Sequence, residues 1–101
     1  MTISVLTPER TVLTGSIKSV SLPGVEGSFQ LLENHAPLVS ALGTGSVTVV
    51  TSGAYTVYNA ETKAMDEASG ARSITFTVNK GFVEVLNNQV NLLVEGARNL
   101  R

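Results

Sequence analysis

The chain has no cysteine, no tryptophan, one histidine and three prolines among its 101 residues. Without cysteine, neither a disulfide framework nor a thiolate metal site can be assembled. A lone histidine with scattered carboxylates makes a poor transition-metal site, so no metal and no cofactor is expected. Charge is scarce and balanced, with seven basic and eight acidic side chains. No basic field is available to grip nucleic acid, and no acidic tail suggests a solvating role. No apolar run approaches the roughly 20 residues that a bilayer span requires. The opening "MTISVLTPER" lacks the basic and long apolar regions of a signal peptide, which predicts a soluble domain.

What the chain does have is β-branched residues. Val, Ile and Thr account for 28 of the 101 residues, and such side chains suit a pleated surface better than a helix. "TISVL" and "ITFTV" alternate apolar and polar positions, as half-buried strands do. "TVLTG", "SIKSVSL", "SFQLL", "GTGSVTVV", "FVEVL" and "VNLLV" read as further strands, while "LVSAL" fits a strand or one helical turn. "PGVEG" reads as a turn with Pro and Gly at its centre, and "NKG" and "NNQ" as hairpin-type turns. Short strands at this spacing predict an all-β fold, a flattened two-sheet β-sandwich of antiparallel strands.

The segment Thr51–Ser73 breaks the pattern and reads as a long surface excursion. In it "AYTVY" could extend a hairpin, and "AETKAMDEA" could form a short helix, marginal in isolation. The domain is taken as 1–95, with 96–101 as a short tail after Gly96.

Candidate chemistry is thin. His35 has Glu33 and Ser40 near it in sequence, but nothing in the spacing fixes a nucleophile, a base and an orienting group. A loop histidine that hydrogen-bonds its own turn, or one that meets a partner, explains it better. "PGVEG" and "LGTG" do not open helices and so make no phosphate cradle. "TPER" could start a helix with Pro8 at its first position, yet the strand-like "TVLTG" after it argues for a turn. Glu84, between apolar neighbours, is expected to face solvent. The prediction is a non-catalytic protein.

Four stretches in order carry a resemblance: "VLTPERTVLTG", "SVSLPGVEGSFQLLENHAPLVSAL", "GSV" and "GFVEVLNNQVNLLVE". Together they resemble the N-terminal domain of the epsilon subunit of F-type ATP synthase. The match rests on Gly24, Glu26 and Gly27, on His35, Ala36, Pro37 and Leu38, and on Gly81, Phe82, Glu84 and Val85. The resemblance implies a β-sandwich at the foot of the rotating central stalk. There it would link the gamma subunit to the membrane c-ring and couple proton translocation to ATP synthesis. It also implies c-ring contact through Gly24, Val25, Glu26, Gly27, Ser28 and Gln30, and gamma contact through Thr7, His35 and Ser40. The implied location is the cytoplasmic face of an energy-transducing membrane, a bacterial inner membrane, held through the complex. The isolated domain is expected to be a monomer.

The chain departs from the family pattern in three ways. Ser28 stands where many relatives carry an acid, and Glu33 and Asn34 replace a Pro-Gly before the histidine. Thr51–Ser73 is extra, and the C-terminal helical hairpin of longer relatives has no counterpart in the sequence. The competing reading is a free-standing β-sandwich binding module, for which Tyr55 and Tyr58 would have to supply the aromatic surface.

Overall fold

The computed structural model describes residues 1–98. Ten strands run through them, and no helix occurs among the described residues. In chain order they are β1 (Thr2–Leu6), β2 (Thr11–Gly24), β3 (Gly27–Leu32), β4 (Leu38–Leu42), β5 (Gly45–Asn59), β6 (Ala64–Ala68), β7 (Ser73–Val78), β8 (Gly81–Leu86), β9 (Gln89–Val94) and β10 (Ala97–Arg98).

Two long strands, β2 and β5, belong to both layers of the sandwich. The first half of β2 pairs with β1, and its second half pairs with β3 on the same edge. Likewise β5 pairs with β7 through Gly45–Val50 and with β6 through Tyr55–Asn59. One layer therefore runs β4-β8-β9-β1-β2-β5-β6, and the other runs β3-β2-β5-β7-β10. The crossing is visible in the register, which slips between Gly15 and Ile17 and again between Ile17 and Ser19. Such slips let a strand bend without losing its ladder. The buried Thr51 hydroxyl fastens the corner, donating to the Gly70 carbonyl at 2.6 Å and accepting from the Arg72 N–H at 2.9 Å.

The alternation seen in the sequence fills the space between the layers. Ile3, Val5, Val83, Val85, Val90 and Leu92 from the first layer are buried against Val20, Leu22, Leu31, Val49, Ile74 and Phe76 from the second. "LVSAL" is a strand. Leu38 to Leu42 pair with Val85 to Gly81, so the ladder decides what the spacing left open.

Several local expectations need correction. Pro23 and Gly24 lie in β2, and the turn falls two residues later at Val25 and Glu26, closed by the Gly24↔Gly27 pair. The positive φ there, 131°, belongs to Gly27. "NKG" is a turn but not a hairpin, because β7 and β8 belong to different layers and do not pair. "AETKAMDEA" is not helical: Ala64–Ala68 forms β6, since the extended Tyr55–Asn59 offers a ladder that an isolated helix lacks. In "SFQLL", where alternation puts Phe29 and Leu31 inward and Ser28 and Gln30 outward, Leu31 is completely buried but Phe29 is only half-buried against the core. The tail also joins the sheet as far as Arg98, with Ala97↔Val78 and Arg98↔Thr77.

Candidate interaction surfaces

The residues Gly24, Val25, Glu26, Gly27, Ser28 and Gln30 come together on one feature, the β2–β3 hairpin. Val25 is 65% exposed at its tip, and Glu26, Gly27, Ser28 and Gln30 are exposed beside it. Glycine is required at the base of this turn. A Cβ on Gly24 would lie 2.7 Å from the Gly27 carbonyl oxygen and 2.8 Å from the Phe29 ring. The hairpin is therefore a tight prong, fixed by the half-buried Phe29 below it. The Val25 N–H donates to the Ala41 carbonyl at 3.3 Å and the Gly43 N–H to the Pro23 carbonyl at 2.8 Å, which seat the prong against the end of β4.

Thr7, His35 and Ser40 are not brought together. Thr7 follows β1 in a turn where its hydroxyl accepts from the Arg10 N–H at 3.3 Å, near the end of the sheet where β9 finishes. His35 sits at the opposite end. Its loop is held by the Asn34 N–H donating to Asn88 Oδ1 at 2.8 Å, and by Glu33 lying 3.1 Å from the Met1 amino nitrogen. Asn34 is left-handed there, at φ 63°, a conformation asparagine tolerates. Ser40 lies on β4 with the same facing as the buried Leu42, turned toward the inter-layer side.

Nor are Glu33, His35 and Ser40 joined to one another by hydrogen bonds. The Glu33 carboxylate is engaged by Met1, the His35 Nδ1 lies 2.7 Å from the Ala36 carbonyl, and the Ser40 hydroxyl meets only the Ala41 carbonyl. Among the described residues no three His, Cys, Asp or Glu side chains gather to hold a metal. Nor do the two tyrosines on which a free-standing binding module would depend form an exposed pair. Tyr55 is buried, and the Tyr58 ring is covered by the Arg10 guanidinium at 4.3 Å from its centre.

A surface that the sequence reading did not single out lies on the outer face of β4, β8, β9 and β1. Here Ala41 pairs with Phe82, Phe82 with Leu93, and Leu93 with Leu6, an apolar row across four strands. Phe82 is 48% exposed, and Val39 and Leu86, on the same face, are 70% and 51% exposed. Glu84, which accepts from Asn91 Nδ2 at 3.3 Å, interrupts the face between Phe82 and Leu86, so the continuous apolar surface is the row itself. Exposed apolar surface of this kind marks an interaction site. The signal was present in "LVSAL", "FVEVL" and "VNLLV", whose apolar residues outnumber the positions one inner face can bury.

Comparison with known proteins agrees with this architecture. The family model described as the β-sandwich domain of the ATP synthase delta/epsilon chain matches residues 1–99. An ATP synthase epsilon chain of Salinibacter ruber is 33% identical over 94% of the chain, and one of Helicobacter pylori is 37% identical over the same share. The matches span 58% and 63% of those two relatives, so the chain corresponds to about three fifths of their length. Among solved structures, a chain of the Tetrahymena thermophila mitochondrial ATP synthase central stalk and c-ring superposes with a TM-score of 0.72 at 17% identity. That match covers 98% of this chain and 66% of the other. A chain of the Euglena gracilis mitochondrial ATP synthase gives 0.70 at 15% identity, covering 95% and 51%. These two likenesses show the fold.

Proposed function

The chain belongs to the ATP synthase delta/epsilon β-sandwich family, and from that premise we propose that it is a non-catalytic rotor subunit linking the gamma subunit to the c-ring. The supporting observation is the continuity of two chemically different surfaces on one rigid sandwich. The apolar row Ala41–Phe82–Leu93–Leu6 ends at Ala41, whose carbonyl accepts from Val25 at the tip of the β2–β3 prong. An apolar face suits a permanent partner, because it stabilises only when kept from water. A polar prong with one carboxylate suits the hydrated loops of a ring, where charge sets register and association.

In this reading gamma covers the outer face of β4, β8, β9 and β1. The gamma contact thus shifts from Thr7, His35 and Ser40 as a set to the face those residues border. Glu26 and Ser28 meet the c-ring. Torque passes through the sandwich, coupling proton translocation to ATP synthesis, and the protein sits peripherally on its membrane through the complex.

The experiment is titration of the full chain with the gamma subunit of the same organism. Replacing Phe82 and Leu93 together by Asp should weaken binding by about 2–4 kcal/mol, as loss of central apolar anchors does. The variant should keep its β-rich circular dichroism, since both side chains are already solvent-exposed. Unchanged gamma affinity would remove this face from the interface.

A further inference from the structure

Three rows of side chains cross the outer face of β4, β8, β9 and β1. The apolar row Ala41–Phe82–Leu93–Leu6 is the first. The second is Val39–Glu84–Asn91–Ser4, which continues through Thr14 to Thr56. There it enters an arm, formed by the second half of β5 with β6, which the Thr14 and Thr56 hydroxyls tie on at 2.7 Å. The third row is Leu86–Gln89–Thr2. On these four strands Glu84 is the one charged side chain in the three rows.

A directed set of hydrogen bonds holds that carboxylate in place. The Thr2 hydroxyl donates to Gln89 Oε1, Gln89 Nε2 donates to Asn91 Oδ1 at 3.2 Å, and Asn91 Nδ2 donates to Glu84 Oε1 at 3.3 Å. Each donor in the chain points toward Glu84, so the bonds polarise one another in its favour. The other oxygen, Oε2, has no hydrogen-bond or ion-pair partner among the described residues. The remaining neighbours are apolar, with Val39 across on β4 and Phe82 and Leu86 two residues away along β8. Arg10 stacks on Tyr58 and Lys80 pairs with Glu95, so both of these cations are engaged elsewhere.

We propose that the partner covering this face seats one basic side chain, a lysine or an arginine, on Glu84. The inference rests on the reading that gamma covers the face, and it states what gamma must carry there. A gamma surface that buries Phe82, Leu86 and Val39 also takes water from the carboxylate between them. One amide donor does not replace that water, because an ionised carboxylate accepts at about four sites. Without a cation the complex would hold a buried, unpaired charge, which opposes binding. A basic side chain answers both parts of the surface. Its methylene stem packs on Phe82 and Leu86 while its head reaches Oε2. The apolar row then supplies affinity, and Glu84 selects the partner and fixes its register.

The test titrates the full chain with gamma at two salt concentrations, using Glu84→Gln, Glu84→Lys and the double variant Phe82→Asp with Leu93→Asp. Glu84→Gln keeps the side-chain shape and the acceptor for Asn91, so its circular dichroism and unfolding midpoint should match the parent's. It should weaken gamma by about tenfold or more and flatten the salt dependence of binding, and Glu84→Lys should weaken gamma further. The inference is overturned if Glu84→Gln binds as tightly as the parent, the result expected if the carboxylate serves only to keep the free face in water. It is equally overturned if the weakening leaves the salt dependence unchanged. Either result leaves gamma on this face when the double aspartate variant has lost it. Full gamma affinity in the double variant would instead remove gamma from the face, and this inference with it.

Discussion

Along β8 the outward positions hold Phe82, Glu84 and Leu86, whereas β6, in the same layer, exposes Met65, Asp66 and Glu67 among small alanines. Both strands lie on exposed surface, yet β8 leaves two large apolar groups beside one carboxylate in water, and β6 leaves two carboxylates beside Met65. The apolar face lies over the best-buried part of the sandwich, where Val83, Val85, Val90 and Leu92 fill the interior. The arm has little beneath it beyond Tyr55 and Val57. Exposed apolar surface on a rigid base is suited to being covered permanently. Exposed charge on a projecting strand is suited to reversible contact or to staying free.

The largest expected effect sharpens this contrast within one residue type. Phe76 is 1% exposed and Phe82 is 48% exposed. Truncating Phe76 to Ala should cost about 3–5 kcal/mol in urea unfolding, as large core truncations do. The same change at Phe82 should cost under about 1 kcal/mol, because water already reaches half of the ring. Similar losses at both positions would mean that the outer face contributes to folding and is not held for a partner.

A second, smaller effect concerns how the arm is attached. Gly15→Val places a branched side chain where the backbone of Tyr55 already lies, and should destabilise the domain by about 1–3 kcal/mol. Hydrogen exchange should rise first in Tyr55–Asn59 and Ala64–Ala68. Uniform loosening of β8 and β9 instead would show that the arm is not a distinct unit.

How much of this was legible in the sequence depended on whether the signal was local. "ITFTV" shows its inner face directly, because Ile74, Phe76 and Val78 are all buried. "NNQ" shows its turn, because consecutive asparagines at positions 87 and 88 accept φ of 51° and 62°. The prong was legible through Gly24, Glu26 and Gly27, although its turn is shifted by the pairing of Leu22 with Phe29. The arm was not resolved, because Ala, Glu, Lys and Met favour a helix until Tyr55–Asn59 supplies a ladder. The continuity of β2 through Gly15 and Ile17 was hidden for a similar reason, as bends look like breaks in a linear reading. The apolar outer face could not be told from core, since sequence alone does not say which apolar face of β8 has a second layer over it.

The smallest expected effect tests the cation–π cover of Arg10 on Tyr58. Arg10→Ala should lower stability by about 0.5–1 kcal/mol and raise exchange only near the tip of the arm. A change confined to the β1–β2 turn would indicate that the stacking does not steady the arm.

The central claim, that apolar face and polar prong serve two partners, is tested most directly by separating them in one assay. Two double variants, Glu26→Lys with Ser28→Lys and Phe82→Asp with Leu93→Asp, are measured for gamma affinity and for proton pumping in ring-containing membranes. The lysine pair should leave gamma binding and folding within about 0.5 kcal/mol of the parent, as exposed substitutions do, while attachment to the ring and pumping fall. The aspartate pair should lose gamma first. Normal pumping with both lysines in place, or loss of gamma affinity in the lysine variant, would contradict the division of the surface between two partners.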